Sequence, residues 1–296
     1  MQSKQQIRQL ISSAGAYVNK RLGQNFLIDL NLIRLLVDSA NVNGGDVVLE
    51  VGCGTGSLSE ELAEKAGKLI AVEIDETLAQ IAKGQLADRR NVEVINSDVL
   101  ASKNTIRDTV IDAIEQAHKE YSGRFLLVAN LPYSVAAALM VNLAVGQTIT
   151  DAMYVTVQKE VAQRMTALPG GKDYGILSIF LGATGEVKTI RILRPAVFWP
   201  QPQVDSAMVS FVRDEKKASR IRSMEIFREV VSLFMGHRRK MLKACSKLAV
   251  GRVAEIGNWA HIFELCSVDP QARPNSLSAG DYVAIANLCA EYLKSK

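Results

Sequence analysis

The stretch RFLLVANLPYSVAAALM, Arg124 to Met140, passes from an apolar strand pattern straight into an apolar helix pattern, and the join carries Asn130, Leu131, Pro132 and Tyr133. An amide oxygen at Asn130 can accept a hydrogen bond from an amino group, and Pro132 restricts Leu131 to extended geometry, so a backbone carbonyl is aimed the same way. Tyr133 adds a face on which a planar ring can stack. Two acceptors beside an aromatic face suit the exocyclic amine of a nucleobase. Such an amine is a poor nucleophile because its lone pair is delocalised into the ring. Acceptors that hold its hydrogens draw the nitrogen toward tetrahedral geometry and free that pair, so catalysis is positioning and electrostatics without a strong general base. A plain strand stop and helix start explains Pro132 and Ser134 but gives Asn130 and Tyr133 no purpose.

A second group of residues points to what would react with that amine. LEVGCGTGSL, residues 49–58, places Gly52, Gly54 and Gly56 between a strand and a helix, where glycine lets backbone amides approach a ligand at a helix N-terminus. The spacing is GxGxG, and the position at which a dinucleotide fingerprint needs its third glycine is Ser57. A nucleoside ligand without a pyrophosphate is therefore expected. Glu73 ends the next strand, where a carboxylate can accept from both hydroxyls of a ribose, and Asp98 follows the third strand at the same rim. Each acid alone fits an ordinary strand-end cap; together with the glycines they point to S-adenosylmethionine. Phe198, in AVFWPQPQVDSAM (196–208), is a candidate to clamp the other face of an extruded base, against the plain alternative of an aromatic plug at a sheet end.

These residues need a scaffold that brings strand ends together. DVVLEV (46–51), KLIAVEI (68–74), VEVI (92–95), RFLLVA (124–129) and AMYVTVQ (152–158) are short β-rich runs separated by helical patterns such as 57–66. That alternation predicts a parallel sheet with helices on both faces. VKTIRIL (187–193) and AMVSFVR (207–213) predict an antiparallel pair closing one edge. Beyond the charged stretch 213–222 the pattern is helical, with helices expected over 223–235, 237–249 and 279–293, the last capped by Ser278 or Asn275. Two domains follow, 1–215 and 216–296.

The 296 residues are 48% apolar, enough for a sizeable core. Cys53, Cys245, Cys266 and Cys289 form no CxxC pair, and with three histidines there is no zinc-spaced ligand set, so neither a metal nor a disulfide is expected. Without a span-length apolar run or an apolar leader, a cytoplasmic protein with no membrane partner is expected. The net charge of +4 is uneven: residues 213–252 hold twelve Lys or Arg against four Asp or Glu, a local +8 that leaves −4 on the rest. A basic block on a slightly acidic enzyme suits a phosphate-rich partner, although a solvated helix face explains most single basic runs.

GQNFL (23–27), LEVGCGTG (49–56), VEID (72–75), NSDVL (96–100), NLPY (130–133), YGILS (174–178) and FWPQPQVDSAM (198–208) stand in an order that resembles the small-subunit ribosomal RNA adenine dimethyltransferases of bacteria, from about Lys20 to the C-terminus. The resemblance implies a Rossmann-like methyltransferase sheet, mostly parallel with an antiparallel edge strand, an N-terminal lid and a small all-α C-terminal domain that binds RNA. It implies that Asn25 and Leu27 contact the methyl donor, with Gln24 and Phe26 shaping the lid, and that Gly52, Gly54, Glu73, Asp98 and Asn130 complete that site. Asn130, Leu131, Pro132 and Tyr133 would handle the target amine, Phe198 would stack on the base, and Arg238, Arg239, Lys240 and Lys243 would bind RNA. The implied reaction is N6,N6-dimethylation of two adjacent adenines near the 3′ end of the small-subunit RNA, by a monomer acting on the immature subunit, with an additional role as an assembly factor. Two features depart from the family pattern: a long spacer between Asp98 and Asn130, expected to hold a helix at about Asn104 to Tyr121, and Ala244, where an Asn is common.

Three other readings compete. The erythromycin-resistance methyltransferases, which modify one adenine of large-subunit RNA, usually carry Ile where this NLPY has Leu131. A non-catalytic assembly factor would bind the immature subunit without using Asn130. A nicotinamide-dependent oxidoreductase is disfavoured by Ser57 and by the lack of a hydride-transfer acid or base.

Overall fold

The computed structural model describes residues 1–19 and 22–295; Lys20, where the family resemblance begins, lies outside them. The chain divides into two compact units, one of residues 1–162 and 188–212, the other of 163–187 and 213–296. The single cut expected after residue 215 therefore misses segment 163–187, which belongs with the C-terminal helices. Its helix Ile176–Thr184 is buried on nearly every side, and such a helix needs neighbours all round.

The first unit is built on a seven-stranded sheet. Its strands are β1 (Val47–Val51), β2 (Lys68–Glu73), β3 (Val92–Asn96), β4 (Phe125–Asn130), β5 (Ala152–Gln158), β6 (Gly185–Leu193) and β7 (Ser206–Arg213), in the order β3-β2-β1-β4-β5-β7-β6. β3, β2, β1, β4 and β5 run parallel, and β7 lies antiparallel to β5, with Ser206 opposite Gln158 and Val212 opposite Ala152. The buried runs VVLEV and FLLVA are continuous because helices cover both faces. One apolar cluster gathers Ile33, Leu36 and Val37 of helix Leu30–Ala40 against Val48, Leu69, Leu126 and Met208 of the sheet.

Because four neighbouring strands point the same way, their carboxyl ends share one rim. Asp98 follows β3, Glu73 ends β2, Gly52 follows β1 and Asn130 ends β4. This is the crevice in which open α/β sheets bind ligands. The spacer after Asp98 is not one helix from Asn104 to Tyr121. Leu100–Ser102 and Thr105–Ile106 form a small hairpin first, and the helix is Asp108–His118. Ser102 accepts from the Asn104 amide at 3.3 Å, which favours a turn there, and Ile106 is buried.

In the second unit, helices Met224–Gly236 and Ala279–Lys294 pack with Ile176–Thr184. Phe180 meets Phe227 edge-on at 5.5 Å, and Phe234 sits among Trp259, Phe263 and Tyr282. Ser278 is the cap: its hydroxyl accepts from the Asp281 amide at 3.1 Å, while Asp281 accepts from the Ser278 amide at 2.8 Å. The helix expected over 237–249 is reduced to Leu242–Cys245 followed by a 3-10 turn, Ser246–Leu248. Gly236 ends the preceding helix, and the amides of Leu242 and Lys243 donate to the carbonyls of Ala272 and Pro270 rather than back along their own segment.

Candidate active site

The glycine turn after β1 needs its glycines for two separable reasons. Gly52 and Gly54 take φ of +78° and +59°, conformations that a side chain resists. A Cβ at Gly52 would also lie 2.8 Å from Pro132 Cγ, and one at Gly54 would lie 2.8 Å from Phe26 Cε1. Bare backbone at these points lets the turn, the NLPY segment and Phe26 approach one another.

Glu73 closes the turn from below. One carboxylate oxygen accepts from the Gly54 amide at 2.8 Å and the other from the Asp75 amide at 3.0 Å, with the residue 5% exposed. Burial pushes its pKa up, and the hydrogen bonds from Asp75 and Gly54 pull it back. Glu50, one strand residue below the turn, is pushed up to about 8 by burial while it accepts from the Ser59 hydroxyl at 2.6 Å. Asp98 accepts from the Leu100 amide at 2.9 Å, and Arg107, from the spacer, donates to the Asp98 carbonyl at 2.9 Å.

The glycine turn, Glu73 and Asp98 line one cavity. Asn25, Gly52, Gly54, Glu73, Asp98, Asn130, Leu131, Pro132 and Tyr133 all reach it, as do Gln24 and Phe26. Residues 22–26 form one wall, and the segment before them packs behind it. Gln2 bonds the backbone and the side chain of Thr55 beside the glycine turn, and Ile7 and Ile11 of helix Lys4–Ser13 pack with Leu78, Phe26 and Trp199.

The Asn130 amide is engaged at both ends. Its Nδ2 donates to the Asn25 carbonyl at 2.7 Å, and its Oδ1 accepts from the Thr156 hydroxyl of β5. The Tyr133 hydroxyl pairs with Ser206 at 2.7 Å, and burial raises its pKa against that hydrogen bond. Thr156, Ser206 and Arg107 escape sequence reading because each meets its partner through strand register or a turn. The one signal was a polar residue inside the apolar run AMYVTVQ.

Two expected site residues are not in the cavity. Phe26–Leu27 pairs antiparallel with Phe198–Trp199, Leu27 opposite Phe198 and Phe26 opposite Trp199. Side chains alternate across such a ladder. Phe26 therefore faces the cavity and stacks on Trp199 at 5.9 Å, whereas Leu27 and Phe198 turn into the core at 6% and 1% exposure. The Leu27 and Phe198 side chains are thus part of the core rather than of the cavity lining. Phe198→Ala should cost about 3–5 kcal/mol of stability in denaturant unfolding, as for a core aromatic; a mere stacking platform on the surface would cost about 0.5 kcal/mol or less.

The profile of a family described as ribosomal RNA adenine dimethylase matches residues 15–291 of this sequence. The chain belongs to that family. Ribosomal RNA small subunit methyltransferase A from Alkaliphilus oremlandii is 35% identical to it over 294 residues, covering 98% of each chain. The protein of that name from Caldanaerobacter subterraneus subsp. tengcongensis is 35% identical over 269 residues, covering 90% of this chain and 96% of its own. A dimethyladenosine transferase from Plasmodium falciparum has the same fold, with a TM-score of 0.66, 22% identity, and coverage of 87% of this chain and 94% of that one. The 23S rRNA methyltransferase ErmE follows with a TM-score of 0.59 and 22% identity, over 88% of this chain and 98% of its own.

In this adenine dimethylase the Arg238, Arg239, Lys240 and Lys243 side chains are exposed, but they stand on a turn and a short helix rather than along one helix face. Arg238 donates to the Lys172 carbonyl at 3.1 Å, which places the loop around Lys172 beside the basic turn. Ala244 is partly buried. Among the described residues no cluster of His, Cys, Asp or Glu could hold a metal ion, and no helix is long and apolar enough to cross a membrane.

Proposed function

We propose that the chain transfers methyl groups from S-adenosylmethionine to the N6 amines of two adjacent adenines near the 3′ end of small-subunit ribosomal RNA, on the immature subunit. The observation that carries this reading is the Asn130 amide, fixed at the tip of β4 and sharing one cavity with the glycine turn, Glu73 and Asp98.

The residues present fit the donor. Gly52 and Gly54 form a turn that any Cβ would crowd, Glu73 offers free lone pairs on a buried carboxylate to the ribose, and Asp98 offers an acceptor to an amino group on the donor's base. Bound there, S-adenosylmethionine supplies an electrophilic methyl group on a sulfonium sulfur. On the protein's side, Asn130 Oδ1 has a second lone pair, and the Leu131 carbonyl, held extended by Pro132, is a second acceptor. Together they hold the hydrogens of an adenine amine and free its lone pair. Tyr133 contributes its ring face; with its hydroxyl bound to Ser206 and its pKa raised, it is not the base. The proton of the methylated nitrogen is acidic enough to pass to water.

The test uses the full chain, labelled S-adenosylmethionine and small subunits from cells that lack the modification. Labelled dimethyladenine in nuclease digests of the small-subunit RNA is the expected result. Label in large-subunit RNA alone, or in no RNA, would overturn the reading. For the basic turn, replacing Arg238, Arg239 and Lys240 with alanine should weaken RNA binding. The log–log salt slope should flatten by about 0.7 per lost phosphate contact on single strands. Filter binding across a salt series measures both, and an unchanged slope would return these side chains to an ordinary solvated surface.

A further inference from the structure

The catalytic amide must point its oxygen, not its nitrogen, at the target amine, and the structure shows what enforces this. A side-chain amide has a broad two-fold torsion, so Asn130 alone could present either end. The Asn25 carbonyl can only accept, so the group 2.7 Å from it must be Nδ2. Oδ1 is then the atom against the Thr156 hydroxyl, and Thr156 must donate.

We propose that Thr156 is a positioning residue, which locks the Asn130 amide so that one oxygen lone pair is occupied and the other is aimed at the target amine. The inference rests on the function proposed above. Thr156 stands directly opposite Asn130 in the β4–β5 register, and its own carbonyl accepts from the Leu131 amide at 3.2 Å. One residue thus holds both the side chain of Asn130 and the backbone of Leu131, the two sources of acceptor for the amine. It is 1% exposed and lies between the fully buried Val155 and Val157. Its β-branched side chain has few rotamers, so the hydroxyl has little freedom to turn elsewhere. With the hydroxyl gone, the amide keeps its contact with the Asn25 carbonyl but loses the bond that fixes its oxygen.

The test compares Thr156→Val, which keeps the shape without the hydroxyl, with Thr156→Ser, which keeps the hydroxyl. The valine variant should lower the single-turnover rate of methyl transfer about tenfold, with S-adenosylmethionine affinity by calorimetry within about twofold of wild type, and serine should restore most of the rate. Wild-type rate in the valine variant overturns the proposal, and so does an equal loss in the serine variant. If valine prevents folding, Thr156→Ala takes its place under the same criteria. A second measurement needs no turnover: with 15N-asparagine labelling, the Asn130 side-chain amide signals, assigned by their absence in Asn130→Asp, should shift and broaden in the valine variant. Unmoved signals sink the lock. A wild-type chain that methylates no RNA, together with shifted Asn130 signals in the valine variant, would fail the proposed function while leaving the lock standing.

Discussion

Asn130→Ala should reduce methyl transfer by roughly a hundred- to thousandfold, the range seen when one pre-aimed hydrogen-bonding group is removed from a catalytic centre. The loss should appear in the rate of the chemical step and far less in donor affinity, because Glu73, Asp98 and the glycine turn remain in place. Asn130→Asp is the sharper variant. It keeps the shape but sets a carboxylate oxygen against the Asn25 carbonyl, where Nδ2 now donates at 2.7 Å. Two acceptors would then repel each other, so aspartate should not rescue. Single-turnover assays with bound RNA, alongside donor titrations by calorimetry, separate the two effects. An alanine variant with near-normal turnover would remove Asn130 from the chemistry.

Glu73→Ala should act on the other substrate. Hydrogen bonds to a charged group contribute about 1.5–3 kcal/mol each, so losing two ribose contacts predicts a fall in donor affinity of about a hundredfold or more. The same change strips the Gly54 and Asp75 amides of their acceptors, so the glycine turn itself should loosen. A pH series gives an independent check. Burial raises the folded pKa of Glu73, so the charged acceptor form is present above that value and lost as pH falls through it. Donor binding should therefore weaken on acidification, beginning at a higher pH than for an ordinary glutamate, and Glu73→Gln should flatten that dependence. Unchanged affinity in the alanine variant would place the ribose elsewhere.

The strands of the sheet were legible because each is a short apolar, β-rich run, and AMYVTVQ (152–158) was placed to the residue. The rim followed from that: once the strands are parallel, Gly52, Glu73, Asp98 and Asn130 must meet. What sequence could not show was whatever depends on alternation across a very short ladder. With two residue pairs, Phe26–Leu27 against Phe198–Trp199 leaves no periodic pattern, so Leu27 and Phe198 were assigned to the site although they face the core. The basic run around Arg238 read as part of a helix over 237–249 because charge carries no period, yet it is a turn between Met224–Gly236 and Leu242–Cys245. Segment 163–187 looked like part of the sheet domain because its apolar helix carries no mark of which neighbours will cover it. Thr156 was hidden for a related reason: its role exists only once β4 and β5 are in register.

The pairing of Phe26–Leu27 with Phe198–Trp199 also bears on the cavity. It joins the segment beside the cavity to a loop more than a hundred positions later in the chain, by two rungs set apart from the main sheet. So short a zipper can part and re-form while the seven long strands stay intact. Opening those two rungs would widen the cavity beside Phe26 without disturbing the strand ends that carry Glu73 and Asn130.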